Sequence, residues 1–169
     1  FYLLEALKLN QNYPEAHNNL GIVLQKQLQL EDSKRHLEFA IKIRPEYAEA
    51  YNNLGILYVY EENYAQAESE FRKAILFQKN YVYAYLNLSR ILVQQEFFID
   101  AREILQTLTK IAPSNHEVFF ALATLAFKQR NFTETEKYLN KTLKVNPSHI
   151  DSLVSLAITL DLQNKTNLS

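Results

Sequence analysis

Residues 48–81 read AEAYNNLGILYVYEENYAQAESEFRKAILFQKNY, and this stretch decides the fold. Its first part places Tyr51, Leu54, Gly55 and Tyr58 at the i, i+3, i+4, i+7 spacing of one face of an amphipathic helix. Its second part carries Ala67, Phe71, Ala74 and Ile75, again at helical spacing. Small residues let two helices approach, and large ones fill the remaining gap. Between the two lies Glu62-Asn63-Tyr64, which reads as a turn: Asn tolerates turn geometry and the aromatic closes the end of the hairpin.

The unit recurs in both directions. Leu20, Leu54, Leu88, Leu122 and Leu156 stand 34 residues apart, followed by Gly21, Gly55, Ser89, Ala123 and Ala157. Gly21 and Gly55 are the only 2 glycines. At the same point of successive units they mark a close approach, not a phosphate loop. Counting from them gives complete units at 14–47, 48–81, 82–115 and 116–149. Residues 1–13 are expected to be the second helix of a truncated unit, and 150–162 an extra or capping helix. Residues 163–169 read as a polar tail, with Asn164-Lys165-Thr166-Asn167 expected to be disordered. The whole of 1–169 is read as one array.

The first-helix stripe returns as His17, Leu20, Gly21, Leu24, as Tyr85, Leu88, Ser89, Leu92, and more weakly as Phe119, Leu122, Ala123, Ala126. Pro45, Pro113 and Pro147 end three second helices, because the residue before proline is pushed out of helical conformation. Lys79 stands at the matching place in the second unit, which leaves that boundary less sharply written.

With these residues in place the chain resembles the tetratricopeptide repeat (TPR) family, whose 34-residue helix-turn-helix unit has this alternation of large and small residues. The unit at 48–81 matches it nearly completely, through Tyr51, Leu54, Gly55, Tyr58, Tyr64, Ala67, Phe71 and Ala74. Four units in unbroken register make the match specific. The resemblance implies an all-α fold, a right-handed superhelical solenoid of antiparallel helix pairs. First helices would line a concave groove and second helices would form the outer wall. Leu108, Thr142, Thr135 and Ala126 depart from the family's pattern of sizes, so looser packing is expected in the C-terminal half.

Composition narrows the function classes. A net charge of -1 argues against a general attraction to nucleic acid or to an anionic membrane. No apolar run approaches the roughly 20 residues needed to span a bilayer. The chain has 0 cysteines, which removes disulfides, thiolate nucleophiles and zinc-thiolate sites. His17, His36, His116 and His149 share no metal-ligand spacing, so neither a metal nor a cofactor is expected. Glu15, Glu49, Glu117 and Asp151 open first helices, where a negative charge suits the helix dipole, and they read as start signals before catalytic acids. Glycosylation-type triplets such as Asn131-Phe132-Thr133 are read as accidents of an Asn-rich chain. With 0 methionines and Phe1 set in an apolar pattern, the sequence is expected to be a piece of a longer protein. Nothing in it sets the compartment, with the cytoplasm the default expectation.

Function is sought on the helix face that stacking does not use. Two positions beyond the core stripe, a shift of about 200° at 100° per residue, lies a nearly opposite face. Its asparagines recur at the repeat period as Asn19, Asn53 and Asn87, with Asn18 and Asn52 beside them. An amide donates and accepts, so such a ladder can pair with a peptide backbone whatever its side chains, or can bond neighbouring helices. The apolar part includes Ile22, Ile56, Tyr60, Tyr83, Leu86, Phe120 and Phe127, with Arg90 as a candidate anchor for a carboxylate. These thirteen residues are the expected partner-binding set.

The leading reading is a non-catalytic protein-protein interaction scaffold that binds an extended or helical peptide segment. The alternative is the substrate-recruiting arm of a larger enzyme. Asn-Asn-Leu-Gly at 18–21 and 52–55 resembles the arms of O-linked N-acetylglucosamine transferases. A chaperone-adaptor clamp for a C-terminal carboxylate is disfavoured: the matching places hold Asn18, Ile22, Asn53, Tyr83 and Asn87, without the clamp's basic residues. Self-association through unfinished ends remains open, because an uncapped solenoid leaves an apolar end face.

Overall fold

The computed structural model describes residues 2–167, and side chains as far as Asn164. Among the described residues the structure is helical, with α1 (Tyr2–Leu9), α2 (Pro14–Lys26), α3 (Leu30–Ile43), α4 (Ala48–Tyr60), α5 (Tyr64–Phe77), α6 (Val82–Gln94), α7 (Phe98–Ile111), α8 (His116–Lys128), α9 (Phe132–Val145) and α10 (Ile150–Asn167). Helices of 13 and 14 residues alternate from α2 to α9. The chain divides into two compact units, with the boundary in the sequence between Asn87 and Leu88, inside α6.

Each first helix ends the same way. The residue after the cap is left-handed in all four hairpins, with φ 60° at Leu28, 57° at Glu62, 63° at Glu96 and 58° at Arg130. That turn lets the next N–H reach back to the helix: Gln29 to the Leu24 carbonyl (2.9 Å), Asn63 to Tyr58 (2.9 Å), Phe97 to Leu92 (2.8 Å) and Asn131 to Ala126 (2.9 Å). This is the double-bonded helix stop that glycine normally serves, and here no glycine serves it. The carbonyl of the same residue then opens the next helix, accepting from the N–H of Ser33, Ala67, Ala101 and Thr135 in turn. Asn63 and Asn131 also cap it with their side chains, accepting from the N–H of Gln66 and of Glu134.

Second helices also stop alike. In the three proline-marked repeats the cap N–H bonds four residues back, and α5 does the same at Gln78 (2.9 Å to Ala74) although Lys79 follows it. The four-residue connection is therefore held by its own hydrogen bonds, from Tyr81 to Gln78 as from Tyr47 to Arg44. Proline reinforces this turn but is not what creates it.

In the first unit the core lies between α2, α3, α4 and α5. Leu37, Leu54 and Leu57 form one buried cluster, and Ala48, Ala74 and Ala84 another, flanked by Tyr51, Ile75 and Tyr81. The glycines sit where first and second helices press together. A Cβ on Gly55 would stand 2.6 Å from the Phe71 ring, and one on Gly21 2.7 Å from Leu37 Cγ. The Ser33 hydroxyl, buried, donates to the Gly21 carbonyl at 2.7 Å and ties α3 to α2.

In the second unit Leu105, Leu108, Val118, Leu122, Leu125, Ala126 and Leu139 are buried. Thr135 and Thr142, also buried, direct their hydroxyls to carbonyls four residues back, Asn131 at 2.8 Å and Tyr138 at 3.0 Å. Each polar atom is thereby satisfied inside its own helix. Two features differ from expectation at the ends. Helix α10 runs on to Asn167, through the segment read as a polar tail; Leu168 and Ser169 lie outside the described residues. Leu156 is only half-buried and Ala157 exposed, unlike Leu20, Leu54, Leu88 and Leu122, which are buried.

Candidate functional site

The face opposite the glycines is built by α2, α4 and the start of α6 in the first unit. Asn18 and Asn52 do not stand on its surface: they are 2% and 4% exposed. Each accepts from the amide one repeat and one residue further on, Asn53 Nδ2 to Asn18 Oδ1 at 2.8 Å and Asn87 Nδ2 to Asn52 Oδ1 at 2.9 Å. These pairs are rungs that join successive first helices. A buried amide without such a partner would be costly, so Asn18 and Asn52 are held by stacking and turned inward by it. Asn53 and Asn87 are half-buried donors, and Asn19, on α2, is exposed.

Around the rungs, Ile22, Ile56 and Leu86 are half-buried, while Tyr60 and Tyr83 are 58% and 66% exposed. Tyr83 packs edge-on against Tyr81 at 6.0 Å. Large aromatic surface in contact with solvent is what stacking leaves unexplained here.

In the second unit Arg90 is exposed. Phe120 and Phe127 line a single recess of about 170 Å³, shared with Ala123, Thr124, Thr135, Leu139, Ser155 and Ile158. The two aromatics lie a little under two helical turns apart on α8, with Thr124 exposed between them. α9 supplies Thr135 and Leu139, and α10 supplies Ser155 and Ile158. The Thr124 hydroxyl is occupied by the Phe120 carbonyl at 3.0 Å, which leaves its methyl to the rim.

Charged groups pair at the edges of both units. Glu15 takes a hydrogen bond from Arg44 that holds its carboxyl below the usual value. Arg102 grips both oxygens of Glu134, at 3.1 and 3.3 Å, and donates to Gln129 at 2.8 Å. Burial, helped by Glu49, pushes the Tyr47 hydroxyl up to about 12.

Two family models, each described as tetratricopeptide repeat, match residues 12–80 and residues 86–150. The chain belongs to the tetratricopeptide repeat family. No curated protein matches the chain by sequence. Solved TPR structures share the fold. A thermophilic TPR protein in Thermus thermophilus is 21% identical with a TM-score of 0.80, over 94% of this chain and 87% of that one. The APC/C hetero-tetramer Cut9-Hcn1 gives 0.82 at 16% identity, over 94% of this chain and 32% of that one. A fragment of MamA from Desulfovibrio magneticus RS-1 gives 0.74 at 15% identity, covering 89% and 85%. The fold class is thus an all-α TPR solenoid, TPR repeats generally mediate protein-protein interaction, and such proteins are typically non-catalytic scaffolds. No helix among the described residues is long and apolar enough to cross a membrane.

Within this TPR frame the histidines take places that their spacing did not reveal. His17 Nε2 bonds the Gln11 carbonyl at 3.0 Å, as the Tyr51 hydroxyl bonds Pro45 (3.1 Å) and the Tyr85 hydroxyl bonds Lys79 (3.1 Å). Each reaches six residues back and fastens its helix to the preceding turn, so His17 does a tyrosine's work. Its other nitrogen meets His36 Nδ1 at 2.8 Å. Because Nε2 must carry the proton that goes to Gln11, Nδ1 of a neutral His17 accepts and His36 donates. His116 and His149 also meet, with ring centroids 5.2 Å apart.

Proposed function

We propose that this chain is a non-catalytic scaffold that captures an extended or helical peptide segment of a partner protein on its first-helix faces. The observation that carries this reading is the recess between Phe120 and Phe127, apolar on most of its lining and large enough to hold one aliphatic or aromatic side chain. Binding sites of this kind draw their affinity from an anchor residue seated in a desolvated pocket. Exposed Tyr60 and Tyr83 in the first unit offer contact area at low entropic cost. Asn19 and Asn53 lie beside Ile22 and Ile56, where an amide can pair with a peptide backbone. Leu86, Asn87 and Arg90 continue the same series along α6.

The test is selection of peptides from a displayed random library against the whole chain, with affinities read by fluorescence anisotropy. Thr124→Trp, placed on the exposed rim, is expected to fill the recess and weaken selected apolar peptides at least tenfold while helical content is unchanged. Tyr60→Ala with Tyr83→Ala probes the first unit in the same way. Selection that yields no saturable binder, or binders indifferent to all three substitutions, overturns the reading.

A further inference from the structure

Beside the recess, though not among its lining residues, three side chains of the second unit converge on one point. His116 and Glu117 open α8, and His149 immediately precedes α10. One ligand-capable atom from each lies within 4.8 Å of the other two. The imidazole planes of His116 and His149 are tilted by 60°, so they do not stack and can aim nitrogens at a shared position. His116 Nδ1 is buried and has no hydrogen-bond partner among the described residues. The nearest acid, Glu117 Oε1, stands 3.9 Å away, beyond hydrogen-bond reach. An orphaned ring nitrogen beside a second imidazole and a carboxylate is a donor set without an acceptor.

We propose that His116, Glu117 and His149 form a binding site for one divalent transition-metal cation of the zinc class. Two imidazoles and a carboxylate are donors that Zn²⁺ accepts in tetrahedral geometry, with bonds of about 2.0–2.2 Å. Such bonds place donors roughly 3.4 Å from one another. The half-exposed Glu117 side chain supplies the small rotation that closes the difference. His149 is held in place by Ser152: its Nδ1 lies 2.8 Å from the Ser152 hydroxyl and accepts from the Ser152 N–H at 3.2 Å. When Nε2 binds the cation, the ring proton moves to Nδ1, which gives up the Ser152 N–H, still bonded to the His149 carbonyl at 3.1 Å, and donates instead to the Ser152 hydroxyl oxygen, the outer-shell arrangement common for metal-bound histidine. Three protein donors leave the fourth position of a tetrahedron to a water ligand. Phe120 packs 4.9 Å from the His149 ring, so the cation would also brace one wall of the recess. His116 and His149 are 33 residues apart, and no local motif announces them.

Titration of the whole chain with ZnCl₂ in a non-coordinating buffer, read by calorimetry, tests the site. One Zn²⁺ per chain with micromolar affinity is expected, and Co²⁺ in its place should give the visible absorption of tetrahedral coordination. His149→Asn retains a capping side chain, as Asn115 caps α8, and should weaken Zn²⁺ at least tenfold with an unchanged circular dichroism spectrum. His116→Ala with Glu117→Gln should do the same. His36→Ala, which disrupts the other histidine pair, should leave the affinity unchanged. Absence of saturable binding, or binding that survives His149→Asn and is lost in His36→Ala, overturns the proposal.

Discussion

Asn53 donates its side-chain amide to the buried Asn18 oxygen at 2.8 Å, across one repeat of the array. The bond satisfies Asn18, which is 2% exposed, so removing Asn53 leaves a buried acceptor unpaired. Asn53→Ala should cost about 1–3 kcal/mol, the penalty for such a group. At the positions matching Asn18 and Asn53 two repeats further on, the sequence reads Leu86 and Ala121, both apolar. Asn18→Leu combined with Asn53→Ala should therefore recover much of the loss. Urea denaturation of the two single variants and the double variant, treated as a cycle, reads the coupling directly.

Gly55 lies against Phe71, with room for no Cβ: the ring would be 2.6 Å away. Alanine gains about 1 kcal/mol of helix propensity over glycine. Overpacking of this kind costs about 1–3 kcal/mol, and a rigid ring gives way less readily than an aliphatic side chain. Gly55→Ala should lower the melting temperature, and adding Phe71→Leu should raise it again. The latter pair reproduces the combination found at Ala123 and Leu139. A melting temperature unmoved by Gly55→Ala would mean that the helix pair separates at little cost.

Glu62 and Glu96 hold left-handed backbone at φ 57° and 63°. For a residue with a Cβ this conformation costs about 1–2 kcal/mol, whereas glycine adopts it freely. Glycine loses part of that advantage through the greater freedom of the unfolded chain. Glu62→Gly and Glu96→Gly should each stabilise by about 0.5–1 kcal/mol, seen as a higher urea midpoint at constant slope. The same change at exposed Glu61, one residue earlier and outside the left-handed region, should give no gain.

Much of the fold was legible because stacking repeats the same burial at the same place. Leu20, Leu54, Leu88 and Leu122 are all buried, and both glycines mark a helix contact. Leu156 breaks the series because no second helix follows α10 among the described residues to cover it. The polar composition after residue 162 suggested a tail, yet it contains neither proline nor glycine, and nothing there stops the helix before Asn167. The exposure of Tyr60 and Tyr83 was legible from helical position alone. The inward turn of Asn18 and Asn52 was legible only as one of two alternatives, bonding to neighbouring helices, because an amide's partner sits 35 residues away and polarity by itself points outward. The histidine pairs were hidden for the same reason.

His36 is held below its usual value of 6.5 by burial, with the neighbouring His17 adding to the effect. The folded state therefore disfavours the charged form, while the unfolded chain takes up its proton normally. Stability contributed by the neutral pair is present above about pH 6.5 and is lost as the pH falls below it. Denaturation midpoints measured from pH 7.5 down to 5.5 should fall in the native chain and fall less in His36→Gln. Equal slopes for the two proteins would dissociate the histidine pair from the pH response.

Phe119 occupies the place at which His17, Tyr51 and Tyr85 each reach a carbonyl six residues back. The matching carbonyl is that of Pro113, and a phenyl ring gives it no donor. Phe119 is half-buried, so a hydroxyl at its tip lies near the edge of the packed region rather than deep inside it. Phe119→Tyr should place that hydroxyl as Tyr85 places its own, 3.1 Å from the carbonyl. One neutral hydrogen bond at such a site contributes about 0.5–1.5 kcal/mol. Phe119→Tyr should accordingly raise the urea midpoint, whereas Tyr85→Phe should lower it by a comparable amount. Opposite shifts of similar size would establish the tether as a transferable part of the repeat, and a loss of stability in Phe119→Tyr would show that the fourth repeat closes its turn in another way.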